Sequence, residues 1–215
     1  MTSGTEEETL AQIKDWWQRN GKPLLIGGIL ALAGVFGWQA WQKHQTTQTE
    51  AAAAVYQRLL EVTLTPSGEP DAAQVATLAG QLQKEYAGTS YAQYASLFMA
   101  KVAVDTGKLD DAASQLQQVL DKPHDDTLAE LARQRLARVM AAQGKTEAAL
   151  ELLAASAAPA PFTSSREELN GDLLVKLGRH EDAHAAYAKA RAAMSDEAAQ
   201  GTLQMKLDDL AKGDA

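Results

Sequence analysis

The chain has 215 residues, no cysteine and a formal charge of −8. The missing cysteine excludes a thiol nucleophile and a disulfide framework, and is compatible with either side of a membrane. Beyond residue 42 the chain carries 24 acids against 17 Lys/Arg, a formal −7, which argues against a nucleic-acid surface.

Residues 1–22 form a leader. Thr5-x-x-Glu8 fits a capping box, and Leu10, Ile13, Trp16 and Trp17 recur at helical spacing. This predicts a short amphipathic helix at a membrane surface; a frayed leader with interfacial tryptophans is the plainer alternative. Residues 23–41 are the apolar run. From Pro23 to Trp38 it has no charge and, apart from proline and glycine, only apolar side chains. Its helical length is roughly 28 Å, close to a bilayer's ~30 Å hydrocarbon core. All four tryptophans, Trp16, Trp17, Trp38 and Trp41, lie near its two edges. A transmembrane anchor in the lipid bilayer follows. Cleavage after Ala31-Leu32-Ala33 and a buried soluble helix are the rival readings.

Lys14, Arg19 and Lys22 precede the run, and Lys43 alone follows it closely. The positive-inside rule favours a cytoplasmic N-terminus and a translocated C-terminal domain. Gly27, Ala31 and Gly34 make one small-residue face, suited to packing against another membrane helix or simply typical of membrane helices.

Residues 42–89 read as the helical N-terminal part of the translocated domain. A helix over 45–65 is broken by Thr65-Pro66-Ser67-Gly68-Glu69-Pro70, and a second runs from about Asp71 to Tyr86. Residues 90–215 contain repeats. Gly107, Gly144 and Gly178 are 37 and 34 residues apart, and each precedes an acidic, alanine-containing helix start. Five residues after them stand Ala112, Ala149 and Ala183. Nine after stand Leu116, Leu153 and Tyr187, and seven before stand Ala100, Ala137 and Gly171. A period near 34 with helix–turn–helix content is the tetratricopeptide signature. The pairs span 90–120, 127–155 and 164–194, with 196–211 as a capping helix over the last apolar face. The Ala- and Pro-rich stretch 154–161 lengthens one connection. The predicted fold is all-α, a single N-terminal transmembrane helix followed by a tetratricopeptide-like solenoid.

His180-Glu181-Asp182-Ala183-His184 matches the H-E-x-x-H zinc-protease motif, with Glu197 as a conceivable third ligand. The repeat register accounts for it better, with Glu181 as an acidic helix start and both histidines at semi-buried positions. No nucleotide loop or nucleophile elbow occurs, so no cofactor, metal or catalytic residue is expected. A groove for protein ligands remains. Candidates on the first helix of each pair are Tyr91, Tyr94, Phe98, Arg133, Arg166 and Asn170, with ordinary packing as the alternative for the three aromatics. The last three do not amount to a carboxylate clamp. Arg133, Arg135 and Arg138 form a local basic cluster that reads as a solvated helix face.

The leader Ile13-Lys14-x-Trp16-Trp17 with Asn20-Gly21-Lys22, then Gly37-Trp38-x-x-Trp41, resembles the ancillary SecYEG translocon subunit family. The resemblance covers essentially the whole chain. It implies a single-pass inner-membrane protein with a periplasmic domain and no catalytic residues. Its implied partners are the SecYEG channel and a membrane-anchored periplasmic chaperone of the prolyl-isomerase type. Its implied role is a scaffold that helps pass emerging, unfolded clients to periplasmic chaperones. An envelope-stress regulatory or structural adaptor and a membrane-anchored metalloenzyme are the alternatives.

Overall fold

The computed structural model describes residues 3–63, 72–194 and 197–213; the side chains of residues 3–8, 24, 72, 197–200 and 211–213 lie outside that description. The capping-box side chains of Thr5 and Glu8 and the break over 65–70 therefore fall outside the described residues. Every regular element described is helical. The chain divides into two compact units that meet between Glu50 and Ala51.

α1 (Ser3–Thr63) supplies the described part of the first unit and opens the second. The leader and apolar run are one helix rather than two, with Pro23 inside it. Proline removes one backbone donor, a defect that membrane helices tolerate. Leu25, Ile26, Ile29, Leu30, Leu32, Val35 and Phe36 are all more than half exposed. The helix is long and apolar enough to cross a membrane, and none of its apolar window is buried in the protein. That counts against the soluble core-helix reading, because apolar area gains nothing until it leaves water. Trp17 lies against Gly21, one turn along, and Trp38 stacks obliquely on Trp41 at 5.2 Å between ring centres.

The second unit begins with the end of α1 and continues through α2 (Ala72–Glu85), α3 (Ser90–Asp105), α4 (Leu109–Asp121), α5 (Asp126–Ala142), α6 (Thr146–Ala154), α7 (Thr163–Lys176), α8 (His180–Ala192) and α9 (Glu197–Gly213). From α2 on, each helix packs mainly on its neighbours in sequence, and the first helices of successive pairs also touch, α3 on α5 and α5 on α7. Four apolar clusters are threaded along this stack. Ala52 and Leu59 of α1 meet Val75, Ala79 and Leu82 of α2 and Ala95 of α3. Leu97, Leu116 and Leu136 centre the next, across α3, α4 and α5. Leu153, Leu169 and Leu173 join α6 to α7, with Ala137 of α5. Tyr187, Leu203 and Leu207 close the array between α8 and α9. Stability is therefore shared between neighbours, as in a one-dimensional repeat array.

The three periodic glycines have φ of +74°, +82° and +73°. At the first, the Gly107 amide donates to Val104 O at 3.0 Å and the Lys108 amide to Ala103 O at 2.8 Å. The same pair of bonds recurs at Gly144–Lys145 and Gly178–Arg179. This is a Schellman ending, which needs a left-handed residue and so favours glycine. The repeat positions read from sequence are all buried: Ala112, Ala149 and Ala183, then Leu116, Leu153 and Tyr187, then Ala100, Ala137 and Gly171. Asp125 caps α5 by accepting from the Leu128 amide at 2.8 Å.

Candidate protein-binding surface

The six predicted groove residues do not assemble into one groove. Tyr91 and Tyr94 pack with Tyr56 of α1, with ring centres 5.5 to 5.9 Å apart. Tyr91 and Phe98 are half-buried against the first apolar cluster, and Tyr91 joins α3 to α1 through Tyr56. Tyr94 alone keeps an exposed edge. Burial, then the charges of Tyr94 and Tyr91, raise the pKa of Tyr56.

Arg166 sits inside the solenoid rather than on a groove. Its guanidinium pairs with the buried carboxylate of Glu130 and donates to the Leu153 and Ser156 carbonyls. The end of α6 and the long connection after it thus supply one acceptor each for this arginine. Glu130 also accepts from Gln134 at 2.8 Å, and Gln134 donates to Ser165 Oγ at 3.0 Å. Arg133 Nε lies 3.8 Å from Glu130 Oε2 and makes no hydrogen bond there. A buried charge needs this degree of pairing to persist. Asn170 stands apart, in a depression between α6, α7 and α8 with Glu167, Arg179, Asp182 and Lys189.

His180 and His184 are both exposed, which corrects their expected half-burial. The inward positions of α8 are Ala183, Ala186, Tyr187 and Ala190. Among the described residues no cluster of three His, Asp or Glu side chains has metal-site geometry, and the Glu197 side chain is outside them.

The last pair carries a polar lock. Tyr187 Oη donates to Asp172 Oδ1 at 2.8 Å. Lys206 of α9 donates to the same carboxylate at 2.6 Å and to Glu168 at 2.8 Å, and lies over the Tyr187 ring. Burial, then the Asp172 hydrogen bond, push the Tyr187 pKa well up. Burial opposes the Lys206 charge, but its bonds to Asp172 and Glu168 outweigh that and raise its pKa.

One open groove is not marked in the sequence. It is about 360 Å³, between α3, α4 and α5, with a floor of Leu97, Ala100, Val104, Leu109, Leu116 and Val139. Lys101, Arg135 and Arg138 are exposed along it. The sequence showed Arg135 and Arg138 on one helix face. The apolar floor comes mostly from helices a full repeat upstream, so their juxtaposition is a tertiary fact. In the first unit Gly27, Ala31 and Gly34 are exposed, and a Cβ at either glycine would meet nothing within 4 Å.

The model of the tetratricopeptide repeat-like domain family matches residues 14–212. The chain is 33% identical over 186 residues to the ancillary SecYEG translocon subunit of Aggregatibacter actinomycetemcomitans, covering 86% of this chain and 88% of that one. It is 31% identical over 205 residues to the subunit of Haemophilus influenzae, covering 95% and 97%. It is 30% identical over 205 residues to that of Escherichia coli K12, covering 95% and 96%.

Proposed function

Because the chain belongs to the ancillary SecYEG translocon subunit family, with its tetratricopeptide repeat-like domain, we propose that it is a non-catalytic, protein-binding scaffold at the SecYEG translocon. One observation carries the reading: among the described residues, one exposed apolar helix and a stack of helical repeats occur in one chain. An anchor restricts the protein to the bilayer where the channel lies, and repeats give a long surface for protein ligands.

The finer reading extends this. The helix spans the inner membrane once, with residues 1–22 cytoplasmic, 23–41 in the bilayer and 42–215 periplasmic. Three basic residues before the run against one close after it support that orientation. The Gly27–Ala31–Gly34 face packs against a channel or partner helix. The repeats receive emerging chains and pass them to periplasmic chaperones, including a membrane-anchored chaperone of the prolyl-isomerase type.

Chemical crosslinking in intact membranes, followed by mass spectrometry, tests the reading. Recovery of SecYEG subunits and a periplasmic chaperone is expected. Their absence at native expression levels would overturn it.

A further inference from the structure

Resting on the protein-binding reading, we propose that the groove between α3, α4 and α5 binds an extended partner segment that alternates apolar side chains with carboxylates. Three observations converge on this chemistry. First, the floor is apolar yet reachable: Val104 is 42% exposed within it, in a second unit whose apolar residues otherwise largely interlock. Second, Arg135 and Arg138 stand one turn apart on α5, and among the described residues neither is paired with a carboxylate. Lys101, on the same groove, is paired with Asp105 at 2.5 Å, which leaves the two arginines as the unpaired cations of its described lining. Third, the two guanidiniums repel each other without compensation: burial, then the Arg138 charge, lower the Arg135 pKa.

An incoming carboxylate relieves that repulsion and gains a planar, bidentate partner. The free cations, in a chain of net charge −8, also set the sign of the partner. A polypeptide fits better than a lone acyl chain, because the groove is an open trough between three helices rather than a closed tunnel. The stacked first helices α3 and α5 offer length along which a peptide continues.

The test uses the full chain in detergent micelles and fluorescence anisotropy. The probe is an end-blocked, labelled peptide alternating leucine with glutamate, and its twin carries glutamine for glutamate. The glutamate peptide should bind saturably, and the twin at least about tenfold more weakly. R135Q/R138Q should bring the glutamate peptide down to the level of the twin. R135K/R138K, which keeps charge and helix propensity but loses the bidentate fork, should bind the glutamate peptide at a level between those of the unsubstituted chain and R135Q/R138Q, and so separates recognition from misfolding. Equal affinity for both peptides, no binding of either, or preferential displacement by oleate would each overturn the proposal. Co-purification of SecYEG with R135Q/R138Q from membranes is read alongside. Its failure in the unsubstituted chain sinks the translocon reading and leaves the peptide result standing.

Discussion

Gly171→Ala looks harmless by sequence, since Ala100 and Ala137 hold the equivalent place in the other two pairs. The structure predicts the opposite. A Cβ at Gly171 would lie 2.3 Å from Tyr187 Cε1 and 2.4 Å from Cδ1. Ordinary contact starts at 3.4 Å, so the ring must retreat by about 1.1 Å. It has little room, being 3% exposed, tied to Asp172 through its hydroxyl and covered by Lys206. Overpacking of this kind costs about 1–3 kcal/mol. The gain in helix propensity from Gly to Ala offsets about 1 kcal/mol. The net expectation is about 1 kcal/mol of local destabilisation, or about fivefold faster amide exchange in α7 and α8. Tyr187→Leu alone loses the hydroxyl bond and should also destabilise, by about 1–2 kcal/mol. The double variant recreates the Ala/Leu combination of the other pairs and should fall short of the summed losses by at least about 1 kcal/mol. Hydrogen–deuterium exchange of the full chain measures all three. Slower exchange in Gly171→Ala, with strict additivity in the double variant, would refute the packing argument.

Arg166→Met leaves Glu130 buried with only Gln134 and, at 3.8 Å, Arg133 Nε beside it, so a loss of about 3 kcal/mol is expected, read as lost exchange protection in α5 and α7. Replacing Glu130 by Met as well should restore much of it. Gly144→Ala places a Cβ at φ +82° and should cost about 1–2 kcal/mol, lowering the midpoint of a thermal melt. The pH dependence has a defined sign. Tyr187 and Lys206 both have raised folded-state pKa values, so their contribution is fully present below about pH 10 and is lost as pH rises through those values. Exchange at α8 and α9, corrected for its intrinsic pH dependence, should show that loss, and Lys206→Met should remove part of it. Mass spectrometry of the mature chain should find residues 1–33 still attached; a chain starting at Gly34 would instead mean cleavage.

The repeat frame was legible because its determinants are local. A left-handed glycine, the alanine five residues on and the large residue nine on lie within one turn and one helix. Arg166 reads as a groove residue in the sequence because its meaning depends on Glu130, an entire repeat earlier, and on two carbonyls, one at the end of α6 and one in the irregular connection after it. The stripe of Tyr91, Tyr94 and Phe98 was visible at helical spacing, but Tyr56, which covers two of its rings, lies on α1 beyond an intervening helix. His180 and His184 were assigned half-buried places from alignment, whereas the first turn of α8 projects outward until Ala183. Sequence spacing reports which residues share a face. It does not report what the facing helix brings to it.

The most direct test of the central claim is site-specific photocrosslinking in living cells at native expression. One crosslinker replaces Ala31 on the apolar helix and a second replaces Val104 in the α3–α5 groove. The account predicts SecYEG subunits from the first position and a periplasmic chaperone or a translocating chain from the second. Lipid alone at Ala31, together with no protein adduct at Val104 during active export, would contradict it.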